Sequence, residues 1–186
     1  LLKVSEIDFD ESPVNRAEMI KRVLFLLFNM DEIPRYKERP DLKDCEYVLG
    51  RFCETMVRTD DYVFSREYFL NVLRGYCRER LIDLEVQVVF DVLYSNNIII
   101  KRDNFFCFRF SYWIYYFAAQ RMQQDHNFAD FIFEDMRYTS YPEIIEFYTG
   151  IDRSRENALK ILIKDISKTC DTVAMKCGLS DGMNPF

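Results

Sequence analysis

The sequence predicts a mainly α-helical protein with one β-hairpin, and three observations support this class. Only five glycines and five prolines occur in 186 residues, which favours long helices over a loop-rich sheet. Several segments repeat apolar residues every three or four positions, the spacing of a helix with one buried face. Between residues 98 and 110 the period changes to that of two short strands. Three helices followed by a hairpin are the layout of a winged helix.

The chain divides into three predicted regions. These are an N-terminal helix with a linker (1–40), a winged-helix domain (41–111) and a C-terminal helical array (112–186). The first helix is predicted over 13–30, because Ser12 and Pro13 form a helix start. Residues 31–40 carry two prolines and several charges, which predicts a linker.

The winged-helix domain is predicted to begin with three capped helices. Asp41, Ser65 and Asp83 are the expected N-caps, and the last of these helices continues to Ser95. Its core face is predicted to consist of Val86, Val89, Phe90 and Leu93. A strand over 98–100, a turn over 101–104 and a strand over 105–110 complete the wing. The second strand is expected to place Phe106, Phe108 and Phe110 on one face.

The C-terminal region is predicted to contain four helices. They are expected over 111–124, over 128–138, from Pro142 to a left-handed Gly150, and from Asp152 to Cys177 before Gly178. Aromatic residues surround the first of these helices, since Phe110, Trp113, Ile114 and Phe117 share one face while Tyr112, Tyr115 and Tyr116 cover others. We expect core packing plus contact with further protein or a second copy, with stacking on nucleic-acid bases as the alternative.

Composition and charge restrict the partners. The formal net charge of −6 disfavours nucleic acid, and no apolar run is long enough to cross a bilayer. The start lacks Met and a signal-peptide pattern, so we expect a segment of a longer cytoplasmic protein. Six cysteines without a C-x-x-C pair are expected to be reduced, and Cys45 and Cys53 to be buried. His126 is the single histidine, so no zinc site is expected.

No catalytic constellation is found in the sequence. It has no Gly-Lys pair, no glycine-rich loop and no G-x-S-x-G elbow. Acidic pairs such as Asp60-Asp61 are typical of solvated surface. We therefore expect no enzyme activity, no cofactor and no metal.

DNA binding is the alternative that a winged helix raises. Its third helix should carry basic or amide side chains towards the bases, but residues 84–95 contain no Lys or Arg. The basic residues lie elsewhere, and the alternative nucleic-acid contacts are Arg74, Arg78, Lys101 and Arg102. A nucleic-acid partner is therefore disfavoured.

One motif resembles a known family. Residues 108–119 read FRFSYWIYYFAA, which is similar to the pattern F-x-H-x-x-x-Q-E-Y-F-A-A of STAND-type NTPases, the NACHT and apoptotic-ATPase class. The matching residues are Phe108, Tyr116, Phe117, Ala118 and Ala119. Phe110 stands in place of the family's histidine, and residues 114–115 replace its Gln-Glu pair. Residues 142–150 resemble a helix of the helical region that follows the winged helix in such proteins.

The resemblance implies a regulatory role without an ATPase core in this chain. In STAND proteins the winged helix packs on the ATPase core at rest and swings away when a sensor region is engaged, and many microbial members act in defence against phage. The implied partners are the ATPase core and sensor region of the same parent protein, or a second copy. A DNA-binding regulator and a helical scaffold or adaptor remain the alternatives.

Overall fold

The computed structural model describes residues 15–30 and 40–178. The described elements are α1 (Arg16–Met30), α2 (Leu42–Thr59), α3 (Arg66–Arg80), α4 (Val86–Ser95), β1 (Ile99–Arg102), β2 (Phe105–Phe108), α5 (Ser111–Gln124), α6 (His126–Phe133), a 3₁₀ segment (Glu134–Ser140), α7 (Pro142–Ile151) and α8 (Glu156–Cys177). The mainly helical fold with one hairpin is confirmed. Ser12, Pro13 and the predicted linker up to residue 39 lie outside the described residues.

Two of the three predicted caps of the winged-helix domain are confirmed. The Asp41 carboxylate accepts the backbone N–H groups of Lys43 and Asp44 at 2.8 and 3.2 Å. The Ser65 hydroxyl accepts the N–H of Tyr68 at 3.0 Å. Both side chains thereby satisfy donors that a helix leaves open in its first turn.

The predicted cap at Asp83 is wrong, because α4 begins at Val86 and no side chain caps it. Ile82 and Leu84 pack against the core from an extended segment, so the chain is held out of helical geometry there. The backbone carbonyl of Glu85 accepts the first N–H, from Val88 at 2.9 Å. The predicted core face of α4 is buried throughout.

The hairpin is tighter than predicted. β1 and β2 pair antiparallel from Ile99 opposite Phe108 to Arg102 opposite Phe105, leaving a two-residue turn at 103–104. Lys101 and Arg102 therefore lie in a strand and not in the turn. The left-handed φ of 52° at Asp103 is what allows so short a connection.

A backbone bridge that the sequence analysis missed holds the hairpin to the helices. The N–H of Phe64 donates to the carbonyl of Phe106 at 2.9 Å, and the N–H of Phe106 returns a bond of 2.8 Å. The segment before α3 thus supplies one more extended residue to the sheet. Phe52, Phe69 and Phe90 pack their rings beneath it with centroids 4.9 to 5.5 Å apart.

The C-terminal helices differ from prediction mainly at their ends. α6 begins at His126 with Asp125 as its cap, and it ends at Phe133 instead of continuing to residue 138. The break begins at Glu134, whose backbone is extended, and it continues with left-handed φ angles of 53° and 57° at Asp135 and Met136. α8 begins at Glu156, four residues after the predicted start, and ends as predicted at a left-handed Gly178.

Gly150 was predicted to terminate α7 in a left-handed conformation, and this is wrong. The helix continues to Ile151, and among the described glycines only Gly178 has a positive φ. Gly150 instead allows α1 to approach closely, because a Cβ there would lie 3.3 Å from the Cβ of Ala17. The Asn15 side-chain amide donates to the Gly150 carbonyl at 3.0 Å and fastens the contact.

One contiguous core joins α1 through the start of α8, with α5 packed between α2 and α7. Cys45, Cys53 and Cys77 are buried in it as free thiols, and no cysteine of the described chain is bonded to another. Within residues 15–30 and 40–178, no helix is long and apolar enough to cross a membrane.

Candidate protein-interaction surface

The family-motif residues separate into a buried group and one exposed ring. Tyr116, Phe117, Ala118 and Ala119 are inaccessible to solvent, and Phe108 is buried. Phe110 is 48% exposed and lies outside β2, at the extended residue that precedes α5. Its predicted place in the second strand, on one face with Phe106 and Phe108, is therefore wrong. The strand ends at Phe108, and the backbone turns into the helix before Phe110 can direct its side chain inward.

The small residues of the motif region let α5 lie close against α2. Gly50 of α2 meets α5 so tightly that an added Cβ would lie 3.1 Å from the Phe117 carbonyl oxygen and 3.3 Å from the Cβ of Arg121. Ala118 and Ala119 add little bulk on the same helix. α5 is thus covered largely by its own chain, and its remaining exposure lies around residues 111, 112 and 115 and at its last two residues, 123 and 124.

A buried polar cluster fixes the contact between α2 and α5. The Tyr116 hydroxyl donates to the Glu46 carboxylate at 2.8 Å, and the Gln120 amide donates to the same carboxylate at 3.3 Å and to the Tyr116 oxygen at 2.9 Å. Burial raises the pKa of Glu46, while the Tyr116 hydrogen bond and the charge of Lys21 oppose that rise. Burial, together with the neighbouring Glu46 charge, also raises the pKa of Tyr116. The cluster is closed to solvent, so its role is structural.

An ion network continues the same contact towards α6. The Arg121 guanidinium donates to Glu54 of α2 at 2.7 Å and also pairs with Asp125, the cap of α6. Arg58 donates to the other oxygen of Glu54 at 2.9 Å. The sequence analysis missed both networks. The available signal was the four-residue recurrence of Glu46, Gly50 and Glu54, which places two acids around a glycine on one helix face.

One accessible aromatic pair lies where the hairpin joins α5. Phe110 and Tyr112 stack with ring centroids 5.4 Å apart and an interplanar angle of 13°. The Arg109 guanidinium lies 5.3 Å from the Phe110 centroid. We call Arg109, Phe110 and Tyr112 the junction patch. Two rings and a guanidinium on one surface are the residue types enriched at protein interfaces.

The surface that would face DNA is not basic. On α4, Asp91 is exposed and accepts from Gln87 at 2.8 Å, and its only described cationic partner is Arg66 of α3 at 3.1 Å. The four alternative nucleic-acid contacts, Arg74, Arg78, Lys101 and Arg102, are all exposed. They lie on two separate elements, α3 and β1, and no described hydrogen bond or ion pair joins them.

The described residues offer little for small ligands. No group of three or more His, Cys, Asp or Glu residues in 15–30 and 40–178 could hold a metal ion. His126 is exposed at the start of α6. An open groove of about 240 Å³ lies between the end of α2 and the wing, lined partly by Phe52, Val63 and Phe105. It is smaller than ordinary ligand pockets, which measure about 300 Å³ or more.

The fold and this surface define a helical protein with a winged-helix order of elements and an aromatic patch at the wing's base. The family model described as Novel STAND NTPase 4 matches residues 62–118. The matched segment runs from just before the Phe64 bridge, through α3, α4 and the hairpin, into the motif region of α5. It confirms the predicted association with STAND-type NTPases. No curated protein and no solved structure matches the chain.

Proposed function

We propose that this chain is a regulatory protein-interaction module of a STAND-type NTPase, and that its winged helix packs on the ATPase core of the same parent protein. The junction patch is the proposed contact, and packing and release there would control switching. The proposed setting is cytoplasmic, which the free buried cysteines support. A role in antiviral defence is proposed from the family resemblance.

The position of Phe110 is the observation that carries this proposal. It lies within the matched segment 62–118 and replaces the motif's histidine, yet it is half exposed and stacked on Tyr112. A phenyl ring cannot donate a hydrogen bond to phosphate, so a polar contact at this position is lost. A stacked apolar pair instead gains free energy when protein covers it. A protein surface therefore suits the junction patch better than a nucleotide does.

We further propose that the chain itself neither binds nor hydrolyses ATP. The sequence lacks a phosphate-loop motif, and the polar clusters around Glu46 and Arg121 are committed to packing α2 against α5. A DNA-binding role is less well supported, because the exposed face of α4 carries Asp91 and no basic residue.

The decisive test begins with the coding sequence before Leu1, where we expect a phosphate-loop motif. The protein segment that carries this motif is then produced separately, and its binding to this chain is measured. Phe110→Ala should weaken the complex by about tenfold or more, as truncation of a central interface aromatic does. The matched control is Phe105→Ala, since Phe105 is 52% exposed at the far end of β2.

Two results would overturn the proposal. One is the absence of any ATPase core in the parent protein. The other is equal binding by the Phe110→Ala and Phe105→Ala variants, which would remove the junction patch from the interface.

A further inference from the structure

α8 differs from the other described helices in how little of its apolar surface is covered. Of its 22 residues only Ala158 is buried. Leu159, Ile163 and Ile166 are between 55% and 63% exposed. The contact with the rest of the chain is confined to the first half of the helix, where Leu162 packs on the core and Asp165 accepts from the Tyr138 hydroxyl at 3.0 Å.

The uncovered residues form a regular row. Apolar or cysteine side chains recur at alternating spacings of four and three, at Leu159, Ile163, Ile166, Cys170, Val173 and Cys177. This is the heptad repeat of a coiled coil, in which a 3.5-residue period keeps one row facing a partner helix. We call these six residues the α8 seam. Met175 is the other large exposed apolar residue of α8, and it lies outside the seam.

The heptad assignment identifies the kind of occupant. Residues 163, 170 and 177 take the a positions, and residues 159, 166 and 173 take the d positions. Such a row interdigitates with a helix of the same period and comparable length. Among the described helices only α8 leaves such a row largely open, since four of the six seam residues are exposed and Cys170 and Val173 are half-buried. The α8 helix of a second copy has this same period and length.

The placement of α8 on the body permits that pairing. The side of the helix that packs on the body, at Ala158 and Leu162, is turned roughly 80° from the centre of the seam, at 3.6 residues per turn. A twofold rotation about an axis between two parallel helices therefore places the two bodies on opposite sides. The positions on the side that would face the other copy's body are Lys160, Ser167 and Ala174, and the one charged residue among them, Lys160, is paired with Glu156 at 3.3 Å.

The flanking charges allow like helices to associate. In a parallel coiled coil, the g position lies just before an a residue and the e position just after a d residue. Each g residue lies opposite the e residue that follows the next d residue of the other copy. These pairs are Leu162 with Ser167 and Thr169 with Ala174, none of them charged. Lys160 and Lys176 lie at the two ends of the seam. Self-association therefore meets no like-charge repulsion along the middle of the interface.

We propose that two copies of this chain dimerise through a parallel, in-register coiled coil of their α8 helices. A helix of 22 residues is about 33 Å long and supplies three heptads. Because association of two copies follows mass action, the dimer forms in a concentration-dependent manner. The inference goes beyond the proposed function and does not depend on an ATPase core.

The first experiment measures the mass of the whole 186-residue chain by sedimentation equilibrium over a wide concentration range, under reducing conditions. The mass should rise from 22.5 kDa towards twice that value. Ile163→Asp should abolish the rise, because a charge at an a position cannot be buried without a partner. The matched control is Met175→Asp, which places the same charge on the same helix outside the seam. Circular dichroism should show both variants folded, since both side chains are exposed.

The second experiment tests the orientation of the two helices. Mild oxidation with a copper–phenanthroline catalyst and dioxygen removes two electrons and two protons from a pair of thiols that lie close enough to join. A parallel pair sets Cys170 against Cys170 of the second copy, and mass spectrometry should detect that linked peptide. An antiparallel pair sets each a residue against a d residue, so this link would not form.

Three outcomes would overturn the proposal. They are a monomer at every concentration, a dimer that persists in Ile163→Asp, and a dimer without the Cys170–Cys170 link.

Discussion

The helices α5 and α8 are both rich in apolar residues, but the rest of the chain covers most of α5 and little of α8. α5 carries a tryptophan, a phenylalanine and three tyrosines, and it packs among α2, α6 and α7 with Tyr116, Gln120 and Arg121 hydrogen-bonded. α8 carries apolar side chains that are smaller on average, and only Ala158 among them is buried. Apolar content alone therefore does not tell how far a helix is covered by its own chain. Of these two helices, only α8 repeats apolar or cysteine residues at heptad spacing over six positions.

Removing a ring from α5 should have the largest effect. Phe117→Ala empties a fully buried site, and we expect the free energy of unfolding to fall by about 3–5 kcal/mol. The paired change on α8 is Ile163→Ala. Apart from the difference in helix propensity, it should lower the free energy of unfolding by at most about 0.5 kcal/mol in dilute protein, because this side chain is exposed. Urea denaturation of both variants at one low concentration measures the difference. Similar losses would mean that α8 is as deeply packed as α5.

Two glycines sharpen the comparison further. Gly50→Ala should destabilise the chain by about 1–3 kcal/mol, because its Cβ would press on the Phe117 backbone carbonyl, which has little freedom to move. Gly75→Ala, in α3, should stabilise it by about 0.5–1 kcal/mol, since nothing lies within 4 Å of its Cβ and alanine favours the helix. Thermal unfolding should show shifts of opposite sign. Shifts of the same sign would contradict the close approach of α2 and α5.

The buried Glu46 gives a pH-dependent effect of intermediate size. Because its pKa is raised in the folded state, the folded protein holds a proton that the unfolded chain releases from about pH 4.3 upward. The contribution of this group is therefore greatest in acid and is lost as the pH rises through the folded pKa. Glu46→Gln keeps an acceptor for Tyr116 and removes the titration. Wild type should lose stability relative to the variant as the pH rises, and a constant difference would refute the burial argument.

The smallest expected effect concerns DNA. The chain should give no mobility shift with duplex DNA at low salt, because the exposed side of α4 carries Asp91 and no basic residue and the net charge of the chain is −6. The quadruple variant with alanine at Arg74, Arg78, Lys101 and Arg102 should behave like wild type. A salt-sensitive shift that the quadruple variant loses would restore the DNA-binding alternative.

The features that could be predicted from the sequence are those that local chemistry decides. The caps at Asp41 and Ser65, the hairpin and the left-handed Gly178 depend on residues within a few positions of one another. The failures at Asp83, Phe110 and Gly150 share a cause in contacts from elsewhere. Anchoring of Ile82 and Leu84 delays α4, the turn into α5 exposes Phe110, and α1 requires Gly150 inside a helix.

The candidate site was only partly predictable for the same reason. The motif residues 108 and 116–119 were identified from the pattern, but their separation into a buried group and the exposed Phe110 depends on where β2 ends. The Phe64 bridge joins residues 42 positions apart, and the Glu46–Tyr116 bond joins residues 70 apart. Neither pairing leaves a periodic trace that one sequence could reveal.

The hydrogen bond from Asn15 to Gly150 links the two ends of the folded body. It joins positions 135 residues apart and places the start of α1 beside the end of α7, just before α8 departs. Incoming and outgoing polypeptide thus share one corner of the body. A displacement of α7 at this corner would move both the start of α1 and the start of α8, so one movement can affect both helices.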